Sequence, residues 1–446
     1  MGKPKPPIGT CPRCSNQLAP KKAKLGKAIE CPFCGLKLRI IVKRKYDLQE
    51  KKKFSREELG VTDDIYKAYG VTMGFEIEAY SISYLIDEDG LKKDFEIGYD
   101  VFYPQENVFE KGEQYTDDVT IGPEFNSPVF FSIKNCLFML KNSLRKYNVF
   151  QEKDDDNKER RIALFGTWLE NPAALHVHIG YGLDGIQIGD AAYLAKHIIH
   201  HLPFLIALTT SSPIFERQIT GIANNRLSTS QFCKSIDLDT IEDGIPIEHF
   251  TEINYNNYLA EEREKPPTLE IRVCDTNIPE YAVAALTVIY AVIMRAKKGK
   301  KGEQRKMKPL MENSFKNNLI ARENAIKDGS KAILMWNDKK TTISKYVDKF
   351  FYFYKDELDE MSVSSNITDT FKYLKRGWNM GEIIKRAVEI SKKKGDNWEQ
   401  DFCSKYINAL EHSLDGADLT SFAEFLGIKL PDLKKIKLGE FTFFSN

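Results

Sequence analysis

The sequence has no run of 18 consecutive apolar residues, so no segment reads as a membrane-spanning helix by that test. It also lacks a charge of one sign: 65 Lys and Arg stand against 64 Asp and Glu, a net charge of +1 over 446 residues. That balance excludes a protein that coats nucleic acid along its whole surface and leaves only local basic patches. The opening residues, MGKPKPPIGT, contain no apolar stretch, so no secretory leader is expected. Met1-Gly2 opens the chain, but Pro6 stands where a myristoylation signal needs Ser or Thr. There is no G-x-x-x-x-G-K-[ST] loop to cradle phosphates. No internal repeat is evident. A disulfide framework is missing too, because four of the eight cysteines sit in two tight pairs and the others are scattered. That usage predicts a metal site in a reducing compartment and hence a cytoplasmic protein. What remains is an ordinary globular composition, 42% hydrophobic and 29% charged, and a length that predicts two or three domains.

The paired cysteines are Cys11-Pro-Arg-Cys14 and Cys31-Pro-Phe-Cys34, 16 residues apart. A C-x-x-C turn delivers two thiolates from one bend, and two such turns complete the tetrahedron that Zn²⁺ prefers. With all four positions filled by sulfur the site is closed and structural. Residues 1–45 therefore read as a module that resembles a zinc ribbon. Lys21, Lys22, Lys24 and Lys27 lie between the pairs, and Lys37, Arg39, Lys43, Arg44 and Lys45 follow. Nucleic acid is disfavoured as their partner, because aromatic rings for base stacking are nearly absent there. Residues 46–69 begin as a highly charged stretch and read as a linker.

From 70 to 309 the pattern mixes strands and helices. VTMGFEIEAYSISYLI (71–86) alternates as strands do. Residues 184–209 predict a helix capped near Asp190 and broken or bent at Pro203, and 279–296 a buried helix with Pro in its first turn. The basic run 297–308 reads as a solvated linker. From 310 to 446 helical periodicity dominates. Strands first and helices afterwards predict an α+β core with a helical C-terminal segment.

Four strand-like segments carry the chemistry. In a strand, residues i and i+2 share a face. Glu76 and Glu78 thus project together, with Phe75 and Ile77 opposite. Two adjacent carboxylates repel, and a divalent cation relieves the repulsion. Asp118 and Glu124 follow in DDVTIGPEFNSP, where Glu124 has an apolar setting and needs a partner. His176 and His178 share one face of a strand whose other face is Leu175, Val177 and Ile179. Glu270 and Arg272 repeat the pattern in TLEIRVCD, and Cys274 continues their face if the strand runs that far, most simply as packing. Each pair alone has a bland reading as a surface pair or a salt bridge. Together they offer carboxylate, imidazole and guanidinium to one side of a sheet.

This ordered set, Gly-Phe-Glu76-Ile-Glu78, Gly-Pro-Glu124-Phe-Asn-Ser-Pro, Leu-His176-Val-His178-Ile-Gly and Leu-Glu270-Ile-Arg272, resembles the amidoligase and carboxylate–amine ligase families. These belong to the glutamine synthetase-like superfamily, with the type 2 glutamate–cysteine ligases. The segment from Ser211 through Arg217, Thr220 and Gly221 to Arg226 is similar to a ligase segment, and Arg322-Glu323-Asn324 faintly so. The resemblance implies a glutamine synthetase-like antiparallel sheet with a concave active-site face and packed helices. It implies an ATP-dependent ligase that joins a carboxylate to an amine as an amide or isopeptide, by way of an acyl phosphate. Glu76, Glu78, Glu124, His176 and Glu270 match that family's Mg²⁺ ligands. His178 and Arg272 match positions near the transferred phosphoryl group, Arg226 and Arg217 positions that hold nucleotide phosphate or a substrate carboxylate, and Asp118 one that orients the amine or a metal. Its partners are then an amine and a carboxylate, and the segments added to the core could supply a peptide or protein as one of them; related folds often form homo-oligomers. The resemblance covers about residues 70–330. Thr120 departs from the Gly or Ser often found beside the Asp, the cysteine module is not part of the family's catalytic core, and the C-terminal 130 or so residues match no known segment.

Two other readings stay open. A non-enzymatic docking module, binding protein or nucleic acid through the cysteine-rich segment, requires the same residues to pair off into ordinary salt bridges. A metal-dependent hydrolase also uses carboxylate and His, but Arg272 and Arg226 favour phosphoryl transfer from a nucleotide. If the carboxylates repel as a cluster, Glu76→Ala or Glu270→Ala should leave folding intact.

Overall fold

The computed structural model describes residues 70–103, 110, 112–149, 158–181, 185–231, 233–236, 241, 251–256, 266–298 and 308–440, and the backbone of four short strands nearer the start. The chain forms two units, Met1–Lys67 and Ala68–Asn446. In the first, β1 (Gly9–Thr10) pairs antiparallel with β2 (Gln17–Leu18), and β3 (Ala28–Glu30) with β4 (Lys37–Arg39). One C-x-x-C segment falls between the strands of each pair. Cys11, Cys14, Cys31 and Cys34 themselves lie outside the described residues.

The second unit opens with β5 (Val71–Glu78), β6 (Tyr80–Ile86), β7 (Lys92–Gly98), β8 (Gln114–Asp118) and β9 (Gly122–Asn126). Next come α1 (Ile133–Val149), β10 (Lys158–Ala163) and β11 (Ala174–Tyr181). α2 (Ile188–Ile198), a 3₁₀ turn (Ile199–His201) and α3 (Leu202–Thr209) follow. A small hairpin of β12 (Ile214–Phe215) and β13 (Gln218–Ile219) leads to α4 (Asn225–Thr229), β14 (Ile253–Asn256), β15 (Thr268–Asp275) and α5 (Pro279–Lys298). Six strands form one sheet in the order β14-β15-β11-β5-β9-β8, with every neighbouring pair antiparallel. β10, β6 and β7 form a second sheet. The alternation read in residues 71–86 is thus two strands, separated only by Ala79, that serve different sheets.

One face of the large sheet is the core. Phe75, Ile77, Phe125, Val177, Ile179, Leu269 and Ile271 are buried there, each such apolar side chain contributing about 1.5–3 kcal/mol. α3 packs on β15 and on α5. The expected long helix begins at Ile188 with Gln187 as its cap, puts Asp190 in the first turn, and breaks at the 3₁₀ turn just before Pro203. Ile188–Thr209 and Pro279–Lys298 are each long and apolar enough to cross a membrane by length and composition alone. Their most apolar stretches are 89% and 94% buried inside this unit, as core helices are.

Gly122 has φ near 90°, and a side chain there would collide with the Tyr99 carbonyl. Only glycine closes the β8–β9 turn in this way, which brings Glu124 alongside β5.

After residue 308 come α6 (Phe315–Asp328), β16 (Ile333–Trp336), β17 (Lys339–Thr342), α7 (Ile343–Phe353), α8 (Lys355–Met361), α9 (Ser365–Lys375), α10 (Met380–Lys392), α11 (Trp398–Leu414) and α12 (Leu419–Phe425). The β16–β17 hairpin interrupts a stretch expected to be helical. Asn337 and Asp338 hold φ of 50° and 59° at its turn, a conformation those two residue types tolerate. Side chains of Thr342, Asn379 and Asp418 cap α7, α10 and α12, each cap contributing about 1 kcal/mol. The helices share a core with the sheets. Trp168 stacks on Phe402 of α11 with centroids 4.8 Å apart, and the Leu164 N–H donates to the Tyr406 hydroxyl at 2.9 Å.

His201 sits between the hydroxyls of Tyr346 (2.8 Å from Nδ1) and Tyr354 (3.0 Å from Nε2), wholly buried. Burial, then the charges of His200 and His197, push it down to about 3. The unfolded chain takes up this proton near pH 6.5 while the folded one refuses it until about 3. Stability should therefore fall as pH drops through that window, by up to about 1.4 kcal/mol per pH unit from this group. Denaturation at stepped pH should show a flatter dependence in His201→Phe, which is less stable at pH 7 because two hydroxyls lose their partner. An unchanged pH dependence would mean that other groups set it.

Candidate active site

Register decides which side chains meet. On β11, His176 lies opposite Glu76 of β5, and His178 opposite Glu270 of β15. Glu124 of β9 lies opposite Glu78, and Asn126 opposite Glu76. Directly paired residues of antiparallel strands project to the same side. Glu76, Glu78, Glu124, His176, His178 and Glu270 therefore occupy the sheet face opposite the core. A β-bulge between Leu175 and Val177 shifts the β11–β15 register by one residue. Beyond it Cys274 pairs with Leu175 and turns toward the core. The expectation that Cys274 continues the Glu270–Arg272 face is thereby corrected, since a bulge inverts the alternation. Burial pushes its thiol up to about 12 and that of Cys233 to about 11; Cys136 and Cys403 are buried as well. None of the four is placed to be a nucleophile.

The centre is a triangle. One ligand atom from each of Glu76, His176 and Glu270 lies within 4.8 Å of the others. His176 Nδ1 is 3.3 Å from Glu270 Oε1 and 3.6 Å from Glu76 Oε2; its Nε2 is 3.9 Å from Glu78 Oε1. His178 Nε2 lies 3.2 Å from Glu76 Oε2, and Thr268 Oγ1 holds the other ring nitrogen at 2.9 Å. Arg272 Nη1 reaches Glu270 Oε1 at 2.6 Å and His176 Nδ1 at 3.5 Å. Asn256 donates to Glu270 Oε2 at 3.2 Å. Glu78 Oε2 accepts the Ala174 N–H at 2.7 Å, and Glu124 Oε1 accepts from Thr116 at 2.7 Å and Asn126 at 3.3 Å.

Protonation follows from these neighbours. Burial alone would raise Glu76, but the hydrogen bonds of His176 and His178 hold it well below the usual carboxylate range. Burial likewise opposes ionisation of Glu270, and the Arg272 charge foremost overcomes it. Burial and then the Arg272 charge lower His176, so its ring is neutral and its carboxylate contacts are not ion pairs. Glu78 is different: burial, with the charges of Asp118 and Glu124, pushes it up to about 8. Neutral imidazole beside ionised carboxylates is a donor set for a divalent cation. Glu270, 1% exposed, is compensated by Arg272 rather than merely repelled. Glu270→Ala should consequently destabilise the protein, by about 3–5 kcal/mol for an orphaned buried partner, against the expectation that it leaves folding intact.

The remaining expected residues lie around this centre. Arg226 is buried and turned to Asp275 (Nε to Oδ1, 2.9 Å) and to the Arg272 carbonyl (2.9 Å). Asp275 also accepts the Ser211 N–H at 2.9 Å and the Ser212 hydroxyl at 2.6 Å. The segment from Ser211 to Arg226 thus ties itself to the end of β15 and buttresses Arg272 from behind. Asp118 Oδ1 accepts the N–H groups of Thr120 (2.7 Å) and Ile121 (3.1 Å), closing the β8–β9 turn. Arg217 has a side chain 51% exposed and lies 3.6 Å from Glu399, so the structure does not bring it to the triangle. Arg322 of α6 pairs with buried Glu252. Asn126, Thr116, Thr268, Asn254, Asn256 and Asp275 joined this face or its support without any sequence signal beyond the strands that carry them. The Asn-Ser-Pro after Glu124 was the only hint.

No family model and no curated protein matches this chain. Among solved structures it is similar to the complex between the prokaryotic ubiquitin-like protein Pup and its ligase PafA, at 12% identity and TM-score 0.43, over 81% of this chain and 78% of that one. It is also similar to a bifunctional glutathione synthetase from Pasteurella multocida, at 10% identity and TM-score 0.44 over 78% of this chain, which spans only 55% of that protein. The Pup ligase PafA in complex with ADP matches at 12% identity and TM-score 0.39, over 73% and 74% of the two chains.

Proposed function

We propose that the chain is an ATP-dependent carboxylate–amine ligase. The observation that carries this reading is the convergence of Glu76, His176 and Glu270 within 4.8 Å, with Arg272 and His178 on the same triangle. A docking module would scatter these groups into separate salt bridges. Here the arginine and one triangle carboxylate do pair, yet the carboxylates and imidazoles still face one another.

The donor set fits Mg²⁺: Glu76, Glu78, Glu124, His176 and Glu270 would hold it. Bound there, the ion supplies neutralisation of charge on nucleotide phosphates. The residues themselves do the rest. Glu270 orients Arg272, whose planar guanidinium suits the oxygens of a transferring phosphoryl group. Thr268 fixes the His178 ring so that one nitrogen stays directed at Glu76. Arg226 holds the end of β15 in place. Catalysis would come from positioning and fixed charge, with no enzyme nucleophile required. Arg272, bridging Glu270 and His176 on the site face, favours this reading over metal-dependent hydrolysis. The test is ADP release in the presence of Mg²⁺ and ATP, screened over paired amines and carboxylates, peptides included. Release that requires both partners supports a ligase, and release by water alone favours a hydrolase.

We also assign Zn²⁺ to Cys11, Cys14, Cys31 and Cys34. The spacing of the two C-x-x-C pairs carries it. Metal analysis of the purified chain should find one zinc, lost in Cys11→Ser together with stability but not with the chemistry of the sheet site. A zinc-free, equally stable protein would remove the assignment.

A further inference from the structure

Asn254 belongs to no pattern that marked the other site residues. It lies on β14 directly opposite Glu270 and therefore on the same face. It is 0% exposed, and neither Nδ2 nor Oδ1 has a hydrogen-bond partner. A buried amide with both ends unpaired is rare, because it gives up its bonds to water without replacement. The neighbouring Asn256 shows what an amide on this strand does when it is structural: it donates to Glu270. Asn254 does not. A second orphan lies close by in the register. Arg272 Nε is buried and unpaired, on β15 two residues from Glu270. Two unused donors and one unused acceptor thus flank the carboxylate at the deep end of the triangle. An apolar group would waste them, and a ligand rich in oxygen would satisfy the two donors.

We propose that Asn254 is a binding residue for nucleotide phosphate, its Nδ2 donating to a phosphate oxygen beside the Nε–H of Arg272. The identity of the ligand rests on the ligase reading; the unfilled valence of the amide does not. The residue would contribute to affinity and to the placement of the phosphate relative to Arg272, whose planar fork needs a fixed partner.

The test uses the full chain with Mg²⁺ and a non-hydrolysable ATP analogue. In Asn254→Leu, similar in volume and without polar atoms, the thermal midpoint of the free protein should stay level or rise, because an unsatisfied amide is removed. The affinity for the Mg²⁺ analogue should fall by about tenfold or more, as expected for one hydrogen bond to a charged group. Asn254→Ala, which only shortens the side chain, should show the same loss of affinity if leucine is not accommodated. Wild-type binding that is unchanged in both variants, with a lower midpoint, overturns the inference: the amide would then be structural, bonded to internal water. No binding by the wild type overturns the ligase reading and this assignment together, so the two failures are distinguishable.

Discussion

Glu78→Gln should reduce Mg²⁺-dependent turnover on the order of 10³-fold, the loss expected when several kcal/mol of metal-mediated charge stabilisation disappears. The same variant should be as stable as wild type or more stable. Glu78 stands opposite Glu124 in register, is largely buried, and is raised to about 8 by burial and by the charges of Asp118 and Glu124. Burial and these neighbouring charges make the ionised form of Glu78 costly, and glutamine removes that cost. Glutamine has the same shape and keeps an oxygen for the Ala174 N–H that Glu78 now accepts at 2.7 Å. Thermal melts and steady-state rates on the one variant separate the two effects. A clear fall in melting temperature would show that Glu78 serves the fold, and an intact rate would show that it holds no metal.

Arg272→Lys should cost on the order of 10³-fold in turnover, at the low end of what a phosphoryl-stabilising arginine contributes, while changing nucleotide affinity far less. Lysine retains a charge for Glu270, 2.6 Å from the present guanidinium, so the fold should tolerate it. It cannot bridge Glu270 and His176 and also present a further N–H, as the planar group does. Arg272→Met should instead destabilise by about 3–5 kcal/mol, because Glu270 would be left as an uncompensated buried charge. Equal rates for arginine and lysine would reduce the residue to a structural counter-ion.

The contrast between these variants shows what the sequence could and could not carry. The i, i+2 pairs on β5, β11 and β15 were legible because alternation along a strand is a local property, and each pair advertised one face. Which faces meet was not local. Asn254, Asn126 and Thr116 reached the site through register between strands far apart in sequence, and nothing in INYN or QYTDD separates a site residue from a solvated one. The bulge at Leu175–Val177 turned Cys274 inward, and no residue type announces it. Arg226 looked like a phosphate contact but found Asp275 at the end of β15, a pairing that only the folded chain creates. The β16–β17 hairpin was missed although Asn337-Asp338 carried its turn signal. It is short and sits among long helical stretches whose periodicity masks it. Glu270 seemed one repelling carboxylate among several until its partners were placed; Arg272 converts it from a source of strain into half of a buried pair.

The most direct test of the central claim is calorimetric titration of wild type and Glu78→Gln with ATP, with and without Mg²⁺. A metal-and-arginine site on the sheet predicts binding by wild type that requires Mg²⁺ and is lost in the variant, because the chain has no glycine-rich phosphate loop to bind nucleotide by itself. Binding that is indifferent to Mg²⁺, or no binding at all, would contradict it.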